Sequence, residues 1–242
     1  MINIIKSDLY KYKKSAIYPM HIIIPVLGAL IFGFYFKHSN WTNINKLDIF
    51  INSIGIIFPL IISIVVSLGV TIEENGEFKN LLSSPYGKWK MIFSKILIFF
   101  IMGIISTEIV INIFYFIEGY NLVNSYNFFV IIGLILSISS IFNYILQTAL
   151  NLKFGRNVAI SVGVCQMLIV ALFRTGLGDG IWMYSPSSWG MRISSIWVLN
   201  NMGYKNIAIG FKNILIILFI LAFELLIFSI MYSKFEGREI TE

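Results

Sequence analysis

Charged residues are scarce in this chain. Asp, Glu, Lys and Arg together make up 12% of its 242 residues, whereas a typical soluble domain carries roughly 25%. Hydrophobic residues make up 57%, and the mean hydropathy is +0.83. This composition excludes an ordinary soluble fold and favours a protein of the lipid bilayer.

Cysteine and histidine are also rare. Cys165 is the single cysteine, which excludes a disulfide within the chain and a cysteine-based metal site. It lies within an apolar run, so we expect it to be a small packing residue. His21 and His38 are the two histidines. Neither has an Asp, Glu or Cys at ligand spacing, so the sequence predicts no metal site.

Nucleotide-binding and catalytic motifs are absent from the sequence. There is no GxxxxGK(S/T), no HExxH and no GxSxG. We therefore expect no catalytic residues, no cofactor bound by this chain and no enzymatic activity of its own. The net charge of +6 does not indicate a nucleic-acid partner. The basic residues cluster at the ends of apolar runs, where lipid head groups and membrane orientation explain them.

Apolar residues come in six runs of about 20, the length that a helix needs to cross a hydrocarbon core of roughly 30 Å. Strands of a membrane barrel would alternate polar and apolar residues, and these runs do not. The first run has no clear small-residue cleavage site, so we expect it to be kept as a span. The sequence predicts an all-α integral membrane fold, a single transmembrane domain over 1–242. The six predicted spans are 17–36, 50–72, 91–117, 128–150, 158–173 and 214–232.

Lysine and arginine predict the orientation of the spans, because they accumulate on the cytoplasmic side. With six spans, 12 of the 18 basic residues fall on one side. Both termini and the loop between the second and third spans are therefore expected in the cytoplasm. The 12 residues are Lys6, Lys11, Lys13, Lys14, Lys79, Lys88, Lys90, Lys95, Lys153, Arg156, Lys234 and Arg238.

The most distinctive polar segment is the loop 73–90. Phe78, Leu81 and Leu82 recur at helical spacing, which predicts a short helix that offers an apolar face to a soluble partner. Pro85 and Gly87 are expected to end this helix in a turn. An ordinary short connection is the alternative interpretation. Negative charge suits a helix N-terminus, and the acidic residues predicted to start this helix are Glu73, Glu74 and Glu77.

Two further segments lie outside the spans. In 1–18, Ile5, Leu9 and Tyr12 recur at helical spacing among lysines, which predicts an amphipathic helix at the membrane interface; the alternative is a solvated basic tail. The long segment 174–213 is rich in aromatic residues, which prefer the interface. We expect 181–199 to form one or two short re-entrant helices in the outer leaflet. The aromatic residues of this segment are Trp182, Tyr184, Trp189, Trp197 and Tyr204.

Two carboxyl groups fall inside predicted spans, Glu108 and Glu224. A charge at the bilayer centre costs about 2.5–3.5 kcal/mol on insertion scales, so such a group faces protein or water. One interpretation is a place on a substrate path or in a proton-coupled step, and the other is a hydrogen bond between helices. Asn112 lies one turn after Glu108 and is expected to share its partner. Asn143 and Gln147 form a similar pair, interpreted as contacts between helices.

These features together resemble the ABC type-2 exporter permeases. In that family the loop between the second and third spans is a coupling helix that docks on an ATPase subunit. The resemblance implies that ATP and Mg²⁺ bind to the partner ATPase and that the permease is not itself an enzyme. The residues that carry the resemblance are Glu73, Glu74, Gly76, Glu77, Phe78, Leu81, Leu82, Pro85, Lys88 and Lys95.

Within that family, the length of the chain and the motif W-x-Y-x-P-x-S at 182–188 are similar to the small permeases of lantibiotic immunity transporters. That likeness implies a second related permease, in a homodimer or heterodimer, and expulsion of an antimicrobial peptide from the membrane. It also implies a bacterial plasma membrane, and usage rich in Ile, Lys and Asn is typical of a low-GC Gram-positive source. We expect the peptide to enter laterally past Trp182, Trp189 and Trp197. Bacitracin-resistance permeases and other drug or peptide exporters are similar in size.

A function of another class is a self-contained, proton-coupled secondary transporter that uses Glu108 and Glu224. It is disfavoured because the spans hold no matching basic residue and show no inverted repeat in hydropathy. An intramembrane enzyme lacks any recognisable catalytic constellation.

Overall fold

Helices account for the regular structure in the computed structural model, which describes residues 2–203 and 209–237. No strand occurs in those two ranges, and the all-α prediction is confirmed. The α-helices are α1 (Ile2–Tyr12), α2 (Ile17–Lys37), α3 (Asn43–Glu74), α4 (Lys79–Leu82), α5 (Lys88–Phe114), α6 (Tyr120–Leu122), α7 (Tyr126–Ser139), α8 (Ile141–Phe154), α9 (Arg156–Phe173), α10 (Trp189–Asn201) and α11 (Phe211–Ser233).

Six helical stretches in the described part of the chain are long and apolar enough to cross a membrane. Each contains one of the six predicted spans, so that prediction is confirmed. With 32 residues, α3 is about 48 Å long at 1.5 Å per residue, and it extends well beyond a hydrocarbon core of roughly 30 Å. The six stretches are Ile17–Lys37, Asn43–Glu74, Lys88–Leu122, Tyr126–Phe154, Arg156–Phe173 and Phe211–Ser233.

Two of these stretches depart from regular α-helix, which hydropathy alone did not reveal. The third continues from α5 through a π-helix, Tyr115–Gly119, into α6. The fourth is interrupted at Ser140, which separates α7 from α8. The Ser140 hydroxyl donates a hydrogen bond to the carbonyl oxygen of Ser137 at 2.6 Å. A side-chain bond of this kind competes with the helical ladder and accompanies a local bend.

Helix α3 is central to the bundle and contacts α2, α8, α9 and α10. In its most apolar stretch 56% of the residues are buried, against 11% in α11. Gly55 of α3 lies directly against Met191 of α10, and a Cβ at this glycine would be 2.8 Å from the Met191 Cβ. Only glycine permits two helices to approach so closely here.

The buried side chains form two large apolar clusters, one towards each end of the bundle. One cluster lies at the end where α1 packs, which we call the N-terminal face, and the other lies at the opposite face. In the second cluster the Phe50 and Phe114 rings stack with centroids 3.6 Å apart. Large members of the first are Tyr12, Phe78, Phe99 and Tyr232, and of the second Phe36, Phe50, Phe114 and Phe129.

At the opposite face a buried ion pair joins two helices that are distant in sequence. The Lys46 ammonium donates to Glu118 Oε1 at 2.7 Å, and both side chains are less than a tenth exposed. Asp48 accepts hydrogen bonds from Arg174 at 2.8 Å and from Ser195 at 2.7 Å. These contacts tie the start of α3 to the π-helix, to the end of α9 and to α10.

The N-terminal segment forms the predicted helix, α1, but its buried face differs from the expected one. Ile4, Asp8 and Tyr12 are buried, whereas Ile5 and Leu9 are partly buried. The expected apolar face is therefore rotated, and it includes one carboxylate. The position of α1 at a membrane interface stays a prediction.

The described residues of the segment 174–213 form three short 3₁₀ turns, Gly176–Gly178, Trp182–Tyr184 and Pro186–Ser188, followed by α10 and by the first residues of α11. One helix within 181–199 agrees with the prediction, and its re-entry into a leaflet stays a prediction. Tyr204 of this segment lies outside the described residues, as does Arg238, one of the basic residues used to predict the orientation. Cys165 is exposed on α9, so its expected role as a packing residue is wrong.

The close contact at Gly55 generates a stability prediction. Gly55→Val should lower the free energy of unfolding by about 1–3 kcal/mol, because the added atoms overlap Met191 and force α10 away from α3. Thermal unfolding of the purified protein in detergent measures this change. Gly176→Val is the matched control, because a Cβ there meets nothing within 4 Å. Equal unfolding temperatures for the two variants would contradict the packing described.

Candidate functional site

The loop between α3 and α5 begins with a sharp reversal of the backbone. Glu77 and Phe78 both have positive φ, 52° and 55°, a left-handed conformation that few residues other than glycine adopt. The backbone N–H of Phe78 donates to the carbonyl oxygen of Glu73 at 2.8 Å, which closes the end of α3. The predicted acidic helix start is therefore wrong: Glu73 and Glu74 end α3, and Glu77 precedes the four-residue α4.

The apolar residues of this loop face the inside of the protein. Phe78 and Leu81 are each 1% exposed, and the Phe78 ring meets the Phe235 ring edge-on with centroids 5.3 Å apart. Leu82 is half-buried. The expectation of an exposed face for a partner is therefore wrong for Phe78 and Leu81, which are buried against their own chain, and Phe78 anchors the loop to Phe235 beyond α11.

What the loop exposes is a polar and aromatic surface. Tyr86 is 50% exposed and follows the exposed Pro85. Its backbone N–H donates to the Ser84 hydroxyl at 3.3 Å, which holds the turn. We call the exposed residues between positions 79 and 86 the loop tip, and it consists of Lys79, Asn80, Ser83, Pro85 and Tyr86.

Beneath the loop lies a buried cluster of charges, which we call the ion cluster: Asp8, Lys11, Glu73 and Lys95. The Lys95 ammonium donates to Asp8 Oδ1 at 2.9 Å and to Glu73 Oε1 at 2.8 Å. Lys11 donates to the same Glu73 oxygen at 2.9 Å. The side chains of Asp8, Glu73 and Lys95 are at most 3% exposed. Three helices, α1, α3 and α5, meet through these charges.

The ion cluster has two positive and two negative charges. An isolated buried charge is costly, and opposite charges with good geometry offset that cost. Tyr12 lies beside the cluster, stacked on Phe99 with centroids 5.3 Å apart. Burial, together with the charges of Asp8 and Glu73, raises the pKa of the Tyr12 hydroxyl well above its usual value. It therefore stays neutral and adds no third negative charge.

The far end of the loop is fixed to the last span. The Lys88 ammonium donates to the carbonyl oxygen of Ser233 at 2.6 Å, and the Tyr232 hydroxyl donates to the carbonyl oxygen of Lys88 at 2.8 Å. Trp89 packs edge-on against the Tyr232 ring with centroids 4.8 Å apart. The loop tip is therefore attached to a set of contacts that joins α1, α3, α5 and α11. We call this set the base, and it consists of the ion cluster, Phe78 and Lys88.

The two intramembrane glutamates lie in different surroundings. Glu108 packs against Gly133 of α7 and accepts a hydrogen bond from Asn112 at 3.4 Å, so the two residues bond to each other, and a partner shared by both stays a prediction. Asn112 in turn accepts from the Tyr126 hydroxyl at 2.6 Å. Glu224 is buried on α11, which packs against α8. Neither carboxylate has an ion pair within 2–203 or 209–237, and their role stays a prediction.

A buried polar network lies between α8, α9 and the turn before α10. Gln147 donates to Gln166 at 3.0 Å, Gln166 donates to Ser187 at 2.8 Å, and Ser187 donates to Asn143 at 2.9 Å. The interpretation of Asn143 and Gln147 as contacts between helices is confirmed. Gln166 was missed because a single polar residue in an apolar run has no partner at helical spacing, and Ser187 was missed because it lies in a polar turn outside the predicted spans.

The tryptophans of 174–213 are mostly internal. Trp182 and Trp189 are 7% and 2% exposed, and the Trp189 indole donates to the carbonyl oxygen of Met183 at 2.9 Å. Trp197 is half-buried. Trp182 and Trp189 therefore anchor the 3₁₀ turns and are not exposed to a peptide, and entry of a peptide past this segment stays a prediction. Tyr184, by contrast, is 58% exposed.

The sequence contains one signal for the ion cluster, which the spacing of the apolar residues alone does not reveal. Asp8 is the sole acidic residue before Asp48, and it stands one turn from Ile4 and from Tyr12 on the buried face of α1. An acid on an apolar face indicates a buried basic partner. The positive-inside rule uses Lys11 and Lys95 for orientation alone and does not pair them with an acid.

Comparison with known proteins identifies a family model that covers most of the chain. The family model described as ABC-2 family transporter protein matches residues 4–174, well over half of the chain. This range includes the ion cluster and the whole loop between α3 and α5. No curated protein and no solved structure matches.

The ion cluster generates a second stability prediction. Lys95→Met leaves Asp8 without its closest cation, so we expect the free energy of unfolding to fall by about 3 kcal/mol or more. Lys79→Met is the control, since Lys79 pairs with Glu77 on the surface and should leave the unfolding temperature unchanged. Thermal unfolding in detergent compares the two variants. Similar losses in both would show that Lys95 is not the critical cation.

Proposed function

Because the chain belongs to the ABC-2 transporter family, we propose that it is the membrane-spanning permease subunit of an ATP-driven exporter. Membership implies an ATP-binding cassette ATPase as partner and a lipid bilayer as surroundings. In this proposal the ATPase subunits bind ATP and Mg²⁺, since this chain has no GxxxxGK(S/T) loop. The termini and the loop tip face the cytoplasm of a bacterial cell, in keeping with the positions of the basic residues.

We place the contact with the ATPase at the loop tip. The observation that supports this assignment is that the tip is exposed, whereas the base beneath it is buried and packed against several helices. The tip exposes Tyr86, a residue type enriched where interfaces are tightest. The base is buried and joined to α1, α3, α5 and α11 through the ion cluster, Phe78 and Lys88. A partner that moves the tip therefore displaces these helices together, because packed interiors transmit displacement instead of absorbing it.

Phe78 and Leu81 have a different role in this mechanism from the one first expected. They do not touch the ATPase, because they are buried against their own chain. They transmit movement of the loop into the spans, and Glu73 does the same through Lys95 and Lys11. Leu82, which is half-buried, lies at the boundary between the tip and the base.

For the exported substrate we propose a lantibiotic-type or similar antimicrobial peptide, removed from the membrane to the outside. The motif at 182–188, with the small size of the chain, supports this substrate class by its resemblance to lantibiotic immunity permeases. The exposed apolar side chains Leu177, Ile181 and Tyr184 lie in the same segment and could receive an amphipathic peptide. The low burial of α9 and α11 suits the association with a second permease.

Substitution of the loop tip tests the ATPase contact. Tyr86→Glu should greatly reduce the amount of co-expressed ATPase subunit that purifies with this chain, because a charge replaces an apolar ring at the centre of the contact. Tyr184→Glu is the matched control, a similarly exposed tyrosine in the 3₁₀ turn Trp182–Tyr184, outside the loop. Retention of the ATPase by both variants would remove the loop tip from the interface. Failure of the wild-type chain to retain the ATPase would contradict the exporter assignment itself.

The substrate assignment predicts a resistance phenotype. Cells that express the complete transporter should tolerate a several-fold higher concentration of a lantibiotic than cells whose ATPase subunit carries an inactivated catalytic glutamate. The inhibitory concentration for growth measures this difference. Protection against bacitracin without protection against any lantibiotic would instead assign the chain to a bacitracin-type exporter.

A further inference from the structure

A cavity of about 240 Å³ lies between α2, α3, α5 and the start of α8, within the membrane-crossing stretches. It touches none of the ion cluster, the loop tip or the two intramembrane glutamates, so the proposed export mechanism does not use it. Its walls carry no charged side chain, and most of them are aliphatic or aromatic. An apolar cavity of roughly 150 Å³ already takes up a molecule the size of benzene, so this one is large enough for a bigger apolar ligand.

Most polar groups in the walls already form hydrogen bonds within the protein. Six lining residues have polar side chains, and four of these bond to backbone carbonyl oxygens. A ligand with a polar head would find few partners here, and desolvation of that head would disfavour it. The four bonds join Ser106 to His21 (2.8 Å), Thr107 to Gly103 (2.8 Å), His21 Nδ1 to Ile17 (2.7 Å) and Ser140 to Ser137 (2.6 Å).

The cavity is elongated along the helices. Its lining extends from Met20 to Phe32 on α2 and from Ser53 to Val65 on α3, which at 1.5 Å per residue is about 18 Å on each helix. One leaflet of a hydrocarbon core of roughly 30 Å is about 15 Å thick. The slot thus has the length of one extended lipid tail.

The slot is open towards the side of the bundle. Ile57 lines it and is 42% exposed. Gly28 also lines it, and a Cβ at this glycine would meet nothing within 4 Å. Because both residues lie in membrane-crossing stretches, the opening faces hydrocarbon, and a chain can enter without passing through water.

We propose that this slot binds one acyl chain of a membrane phospholipid, with the head group outside it. The length of the slot, its lateral opening and its lack of available polar groups all match a hydrocarbon chain. The proposal concerns a site within one permease and is independent of the ATPase partner and of the exported substrate.

Photolabelling tests the proposal. The purified full-length chain is reconstituted in phosphatidylglycerol vesicles doped with a phosphatidylglycerol that carries a diazirine on one acyl chain. Mass spectrometry then locates the labelled residues after irradiation. We expect Ile24 and Ile61 inside the slot to be labelled at least as strongly as Ile22 and Leu218, which lie exposed to the bulk lipid on the outer surface.

Gly28→Phe should fill the slot and reduce the labelling of Ile24 and Ile61 several-fold. Ile31→Phe is the matched control, because Ile31 is 66% exposed on the same helix and should leave slot labelling unchanged. Thermal unfolding checks that each variant is folded, and Gly28→Leu replaces Gly28→Phe if the larger side chain prevents folding.

Three outcomes would overturn the assignment. Labelling of Ile24 and Ile61 that is weaker than that of the lipid-facing Ile22 and Leu218 would show that no lipid chain resides in the slot. Slot labelling that survives a folded Gly28 variant would place the chain elsewhere. Loss of slot labelling when a purified lantibiotic is added to the wild type would assign the slot to the peptide instead of a lipid.

Discussion

A lysine ammonium buried between two carboxylates organises one end of this protein. Lys95 is 2% exposed, and it lies within hydrogen-bond distance of Asp8 and Glu73. Because an unpaired charge in that position would be costly, the three helices that carry these residues must meet at one point. The position of α1, the end of α3 and the start of α5 all follow from this requirement. The same charges therefore hold in place the two helix ends that the loop between α3 and α5 connects.

The same requirement governs the polar groups deeper in the bundle. Where lipid replaces water, a polar side chain must find its partner within the protein. Lys46 does so with Glu118, and Gln166 with Ser187 and Asn143. Each pairing connects elements that are distant along the chain, so the few polar residues of an apolar protein specify which helices are neighbours. The loop tip is different, because its side chains remain exposed and available to a partner.

Much of the architecture was predictable from the sequence, and much of the site was not. The six spans were placed correctly because hydropathy over about 20 residues decides whether a helix can cross a bilayer. The loop between the second and third spans was recognised as distinctive, but its exposed and buried faces were exchanged. Helical spacing shows that Phe78, Leu81 and Leu82 share a face, and it does not show what that face meets. The Phe235 ring covers Phe78, and Phe235 is far away in the sequence.

The sequence by itself determined the number of spans, the helical class and the absence of a nucleotide-binding loop in this chain, because these depend on local composition and spacing. Only the tertiary structure decided that Glu73 ends α3, that Trp182 and Trp189 are internal anchors, and that Lys95 is buried. The physical reason is distance along the chain. Lys95 and Asp8 are 87 residues apart, and Lys11 and Glu73 are 62 apart. An acid such as Asp8 on an apolar face indicates that a basic partner exists, but nothing in the local sequence shows which distant residue that partner is.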